Sequence, residues 1–233
     1  MSQEWFGRVY KEDSRDFNFK VSDVLNSIEM PPLETKFWWA DGWNGNQGST
    51  PRCVAYSWSH WFEDGPVIQD AIIGRQKPVY DTRELYEKFR EYDGIDGNYE
   101  GTTVRGGAKT LQKLGIINQY RWANNIDDVV NTLKYLGPMV VGTKWTAGMN
   151  RPSSSKFIIR PSGKDSGGHA YLINGVDSNS EMLRIKNSWG QGWGYRGTAY
   201  IRFRDFERLL EDQGEACVAF ENKINKVPDL SVV

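Results

Sequence analysis

The chain is predicted to be α+β, a helical first half and a strand-rich second half forming two lobes with a cleft between them. Between Thr50 and Leu136, apolar residues recur at helical spacing. From Met139 onward the segments are short, rich in β-branched and aromatic residues, and separated by Gly, Ser, Asn and Asp. At 233 residues the chain is long for one core and short for two independent domains. One domain over 1–233 is therefore expected: a lead-in over 1–39 packed on the strand-rich lobe, a mainly helical lobe over 40–124, and a mainly β lobe over 125–233.

Residues 1–46 are irregular, broken by Met30-Pro31-Pro32, and predict extended segments with one short helix around Val21–Ile28. The next helix carries Val54, Ser57, Trp58 and Trp61 on one repeat and is stopped by Gly65-Pro66. Thr50-Pro51 reads as its cap and first-turn proline, which puts Cys53 in the opening turn. Asp81 opens a helix with Leu85, Tyr86 and Phe89 on one face. Thr103–Leu114 is another, ended by Gly115. Asn125–Leu136 follows, with Ile126, Val129, Val130 and Leu133 as its stripe and Gly137-Pro138 as its stop. The predicted strands are MVVGTKW, KFIIRP, HAYLINGVD, EMLRIKNSW, GTAYIRF and ACVAFEN.

Composition removes several function classes. A formal net charge of −1 with scattered basic residues gives no footprint for nucleic acid. No apolar run approaches a membrane span, and MSQEWFGRVYKEDSRDF lacks the apolar core of a secretory signal. Cys53 and Cys217 are too far apart in sequence and too few to suggest a disulfide framework. With only His60 and His169 beside them they suggest no zinc site either. No metal, cofactor, nucleic acid or membrane partner is expected, and a reducing, cytoplasmic setting suits the cysteines.

Two histidines and two cysteines leave few nucleophile–base pairs. Cys53 at a helix start faces the positive end of the backbone dipole, which favours thiolate, and a neighbouring imidazole would hold it as an ion pair. Gln47, six residues earlier, offers an amide to an oxyanion beside the Cys53 N–H. His60 lies two helical turns beyond Cys53, about 11 Å away, too far for a proton transfer that needs about 3 Å. That leaves His169 as the base, following Gly167-Gly168, whose missing side chains keep its approach clear. Asn187, eighteen residues on, can accept from one imidazole nitrogen and aim the other. Trp189 could shield that bond or simply fill the core, and Cys217 in ACVAF reads as core.

These blocks resemble the papain-like cysteine proteases. NQGSTPRCVAYS is similar to the family's nucleophile block, GGHAYLINGVD to its histidine strand, and IKNSWGQGWGYRGTAYIRF to its Asn-Ser-Trp-Gly block. YEGTTVRGGAKTLQKLGI and LGPMVVGTKW are similar to one cleft wall and to the first strand of its barrel lobe. The resemblance implies a papain-like fold in which the helical lobe carries the cysteine helix and an antiparallel β-barrel-like lobe carries His169 and Asn187. It implies a thiol peptidase in which Cys53 is nucleophile, His169 base, Asn187 orienter and Gln47 oxyanion donor, acting on a peptide or protein substrate.

It further implies that Gly101, Thr102, Thr103 and Val104 pair with an extended peptide. Trp189 would stand on the leaving-group side, with Gly142, Gly167 and Gly168 lining the substrate's path. Small residues at Gly142 and Gly167 suggest a pocket for a bulky apolar or aromatic side chain two positions before the cut. Thr50 stands where the family has a cysteine, Val54 where it has Trp or Tyr, and Pro51-Arg52 puts an arginine beside the thiol. His169 comes 116 residues after Cys53, short of the usual ~130–150. The long lead-in would wrap the barrel lobe or cover the cleft. Rival activities with the same residue set are a Cys-His amidase, isopeptidase or transpeptidase; a catalytically silent peptide-binding pseudoenzyme is the rival outside catalysis.

Overall fold

A computed structural model describes residues 6–38, 43–64, 77–97, 99–222 and 228–233. Among them six α-helices and seven strands form a mixed α+β fold. The helices are α1 (Ser22–Leu25), α2 (Cys53–Asp64), α3 (Thr82–Tyr92), α4 (Val104–Lys113), α5 (Ile126–Tyr135) and α6 (Phe203–Glu211). The strands are β1 (Thr35–Phe37), β2 (Ile117–Ala123), β3 (Met139–Thr146), β4 (Asp165–Asp177), β5 (Met182–Lys186), β6 (Thr198–Arg202) and β7 (Glu215–Glu221). They pair antiparallel in the order β2-β7-β3-β4-β5-β6, with β1 added along β4. The sheet is open, since β2 and β6 do not pair.

Local chemistry accounts for most helix starts. The Asp81 carboxylate accepts from the Arg83 and Glu84 N–H groups, Thr103 Oγ1 from Gly106, and Asn125 Oδ1 from Asp128. Gly115, at φ +70, ends α4 in the left-handed conformation expected of a glycine stop. The cap expected for α2 differs. Thr50 Oγ1 donates to the Gln47 carbonyl at 2.6 Å, so it closes the Gln47 turn, and the helix begins at Cys53. The predicted Gly65-Pro66 stop lies outside the described residues.

Three elements escaped the sequence. β2 follows Gly115 and joins the sheet edge beside β7, although it falls within the span read as mainly helical. α6 carries Phe206, Leu209 and Leu210 inward. β1, in the lead-in, pairs Thr35–Phe37 with Asp177–Gly175. Conversely, KFIIRP forms no strand and contributes one bridge, Ile158 to Tyr200, because residues 153–161 turn back on themselves.

The core lies between the sheet and α2. Every residue of α2 is buried, because one side meets β3 and β4 while another meets α3 and α4. That sandwiching drives Cys53 at the helix tip against the middle of β4, where His169 lies opposite Thr143 of β3. Among the described residues no helix is long and apolar enough to cross a membrane, and no three His, Cys, Asp or Glu groups are placed to hold a metal ion.

Candidate active site

His169 and Asn187 meet across the β4–β5 end of the sheet, with His169 Nε2 2.8 Å from Asn187 Oδ1. The Ser188 N–H also donates to that oxygen at 2.8 Å, which identifies it as the amide's carbonyl end. Nε2 must therefore carry the ring proton, and Nδ1 keeps its lone pair. Nδ1 is buried and has no hydrogen-bond partner among the described residues. The next backbone N–H along, that of Ala170, donates to Cys53 Sγ at 3.4 Å. Thiol and imidazole thus share one buried spot, with the ring's basic nitrogen uncommitted.

Gln47 is tied to this spot by two loops. Its N–H donates to the Ser188 carbonyl at 2.8 Å, and its Oε1 accepts from Ser188 Oγ at 2.6 Å. With Oε1 so engaged, Nε2 points the other way, to the Thr50 carbonyl at 2.7 Å and the Phe6 carbonyl at 3.1 Å. The second bond was not foreseen. Phe6 belongs to the lead-in, and its peptide carbonyl stands where the amide of Gln47 was expected to meet a substrate's.

The lead-in continues through the cleft. Thr102 N–H donates to the Gly7 carbonyl and Val9 N–H to the Thr102 carbonyl, both at 2.9 Å, while Arg8 N–H reaches the Gly168 carbonyl at 3.1 Å. The Arg8–Thr102 bridge is parallel. Gly7 (φ +97) and Gly101 (φ +104) permit the close approach, since a Cβ on Gly101 would lie 2.4 Å from the Gly7 oxygen. The Phe6 ring packs 5.0 Å from that of His169 and 5.4 Å from Trp189.

The predicted cleft residues separate accordingly. Gly101, Thr102, Gly142 and Gly168 touch the lead-in, and Trp189 covers the His169 ring at 5.2 Å. Thr103 instead caps α4, and Val104 is fully buried in the core. Gly167, at φ +121, lies in β4 opposite Trp145, beside the register shift at Trp145/Thr146, and its N–H donates to the Asp165 carboxylate. Arg52 turns from the thiol, its Nε bonding Thr50 Oγ1 at 3.0 Å. Arg8 is the cation that acts on Cys53. His60 accepts from the Gly45 N–H at 3.1 Å and stays neutral in its buried place.

Burial decides the protonation state. Desolvation pushes the Cys53 thiol up to about 12, although the Ala170 and Val54 N–H groups and Arg8 pull against it. Desolvation likewise pushes His169 down to about 4, opposed only by the bond to Asn187. Burial of both groups therefore works against the expected thiolate–imidazolium pair and favours a neutral thiol beside a neutral ring while the cleft is covered. The helix dipole and a base are present, yet with Phe6, Trp145 and Trp189 around the ring there is too little solvent to stabilise two charges.

Phe6, Gly7, Arg8 and Glu215 are the site residues missed from sequence. No local pattern marks the first three. Glu215 left a weak trace, an acid opening the apolar run ACVAF.

No family model and no curated protein matches the chain. Among solved structures it is similar to xylellain, a cysteine protease from Xylella fastidiosa, at TM-score 0.73 and 19% identity, covering 95% of this chain and 98% of that one. It is also similar to procathepsin B S9 from Trypanosoma congolense (TM-score 0.65, 12% identity, 95% and 88% covered). The bromelain protease from Ananas comosus, solved with the E64 inhibitor, is a third (TM-score 0.60, 16% identity, 82% and 100% covered). The shared property is the papain-like two-lobed fold.

Proposed function

We propose that this chain, built on the papain-like fold, is a thiol-dependent peptidase whose covered cleft is its resting form. The observation that carries the reading is the Gln47 amide bonded to the Phe6 carbonyl at 3.1 Å, with Cys53 Sγ accepting from the N–H of Ala170, the residue after His169. A peptide carbonyl already lies on the donor that the chemistry requires.

With the lead-in displaced, His169 Nδ1 takes the Cys53 proton as sulfur bonds to the substrate's carbonyl carbon. The carbonyl electrons move to an oxyanion held by the Gln47 amide and the Cys53 N–H. Collapse breaks the C–N bond, and the proton on Nδ1 goes to the departing amine. Water, deprotonated by the same nitrogen, cleaves the thioester and restores the thiol. Asn187 holds Nε2–H throughout, so only Nδ1 exchanges protons.

The lead-in avoids this fate by its direction. Phe6 lies against Trp189, assigned to the leaving-group side, and later residues lie against Thr102 and Gly142. A substrate runs the opposite way, its acyl part being N-terminal to the cut. Backbone pairing along Gly7–Val9 favours an extended peptide over a small amide as the natural occupant.

The test uses the full-length protein with Arg8→Met to loosen the lead-in, and a mixed peptide library read by mass spectrometry. Cleavage that disappears on adding Cys53→Ala or His169→Ala supports the reading. An intact library, with Cys53 accessible to alkylation, overturns it in favour of a silent peptide-binding protein.

A further inference from the structure

The pocket beside Gly142 is not the apolar socket its small residues suggest. Arg8 fills it, only 6% exposed, its Nε donating to Glu215 Oε1 at 3.0 Å and Nη2 to the Gln213 carbonyl at 2.6 Å. Gly142 on β3 lies opposite Glu215 on β7, and a Cβ there would stand 2.6 Å from Arg8 Nε and 2.9 Å from Glu215 Oε1. Its missing side chain makes room for a guanidinium and the carboxylate that meets it. Gln213 has φ +59, a left-handed conformation at the turn that presents its carbonyl to Nη2.

The pocket opens onto the cleft. The Arg8 N–H pairs with the carbonyl of Gly168, the residue before His169, which places the pocket beside the strand that carries His169. The Glu215 side chain is only 10% exposed, and burial pushes its carboxyl up while Arg8 pulls it down. An apolar occupant would leave that carboxylate buried without its cation, which is costly. Two acceptors, a carboxylate and a carbonyl, suit the forked guanidinium better than the single ammonium of lysine.

We propose that Glu215, the Gln213 carbonyl and Gly142 form an arginine-reading subsite, so that preferred substrates carry arginine two residues before the scissile bond and Arg8 is its resident occupant. The position of the cut rests on the peptidase reading; the arginine preference rests on the pocket alone.

Binding tests it without hydrolysis. Full-length Cys53→Ser/Arg8→Met protein is titrated by calorimetry with blocked tetrapeptides differing only in one residue: arginine, lysine or leucine. The arginine peptide should bind at least about tenfold tighter than the leucine one, the scale of one charge-assisted hydrogen bond, with lysine between. Adding Glu215→Gln should erase the preference. Equal or better binding of leucine, a preference that survives Glu215→Gln, or no peptide binding at all overturns the proposal.

The same peptides offered to Arg8→Met with Cys53 intact separate the two ideas. Arginine-selective binding without cleavage sinks the peptidase reading and keeps the pocket, whereas cleavage without selectivity does the reverse. Should Arg8→Met not fold, Glu215→Gln alone tests the anchor. It should speed Cys53 alkylation at least about tenfold by weakening the hold on Arg8, and an unchanged rate counts against the pocket.

Discussion

The side-chain amide of Gln47 donates to the main-chain carbonyl of Phe6 at 3.1 Å, joining the cleft to the chain's own lead-in across 41 residues of sequence. The bond serves two purposes that a single substitution separates. In Gln47→Ala the lead-in loses a hold, so Cys53 should be alkylated faster. Peptide turnover by the opened protein should nevertheless fall by about 10²–10³-fold in kcat, the usual cost of one oxyanion donor. If both rates move in the same direction, Gln47 does not have both roles.

Gly7 sets whether the lead-in fits. A Cβ there would come within 2.2 Å of the Pro51 oxygen, at a φ of +97 that side chains seldom adopt. Gly7→Ala should therefore expel residues 6–9, raising Cys53 alkylation by tenfold or more while lowering stability by about 1–3 kcal/mol as Phe6 loses its burial. Alkylation followed by intact-mass measurement reads the first effect and urea unfolding the second. An unaltered alkylation rate would mean that the lead-in does not limit access to the thiol.

Acid should open the cleft. His169 resists protonation in the covered form until about pH 4, whereas an uncovered imidazole titrates near its ordinary value of about 6.5. A lowered value means that the covered form's advantage is complete above about 6.5 and shrinks as pH falls towards 4, by up to about tenfold per unit. Cys53, raised to about 12, acts at the other end and weakens the covered form only above its ordinary range of about 8.5. Protonating Glu215, whose carboxyl burial pushes up, also weakens its hold on Arg8, so the His169 contribution is read in Glu215→Gln protein. Cys53 alkylation by iodoacetamide should thus accelerate from pH 6.5 to 4.5, against the decline of an ordinary thiol. A steady decline would mean that His169 does not control opening.

Asn187→Ala removes the acceptor from His169 Nε2 and frees the ring to take either tautomer. In the opened protein kcat should drop towards the 10²–10⁴-fold that general-base catalysis supplies, with KM little changed. A loss confined to KM would assign Asn187 to substrate binding.

A buried ion pair underlies the site. Asp64, at the end of α2, accepts from Lys186 Nζ at 3.1 Å and from Asn174 Nδ2 at 2.7 Å, and its side chain is fully buried. Lys186 immediately precedes Asn187, so this pair fixes the far end of α2 to the strand that delivers the orienting amide. Lys186→Met should cost about 3–5 kcal/mol by stranding the carboxylate, read from the denaturant midpoint at neutral pH. A shift below about 1 kcal/mol would mean that Asp64 finds another partner.

The sequence by itself determined what local forces can specify. Helical stripes placed α3, α4 and α5 within a residue or two, because Asp81, Thr103 and Asn125 bond to backbone one turn away. Scarcity of candidates and the spacing of Gln47, Cys53, His169 and Asn187 picked out four residues that the fold brings together. α6 is legible in the helical spacing of Phe206, Leu209 and Leu210, but it follows directly on the strand pattern of TAYIRF, which masks its start. β2 and β1 were not legible, since each is held by pairing with a strand distant in sequence.

Only the tertiary structure decided the state of the cleft. That Phe6 covers His169, that Arg8 rather than Arg52 acts on the thiol, and that the Gly142 pocket holds a guanidinium all depend on segments 40 to more than 200 residues apart. The charges of Cys53 and His169 follow the same rule. A helix dipole and a neighbouring base can be read along the chain. The desolvation that overrides them arises only when the lead-in, β3 and the Trp189 loop close over the pair.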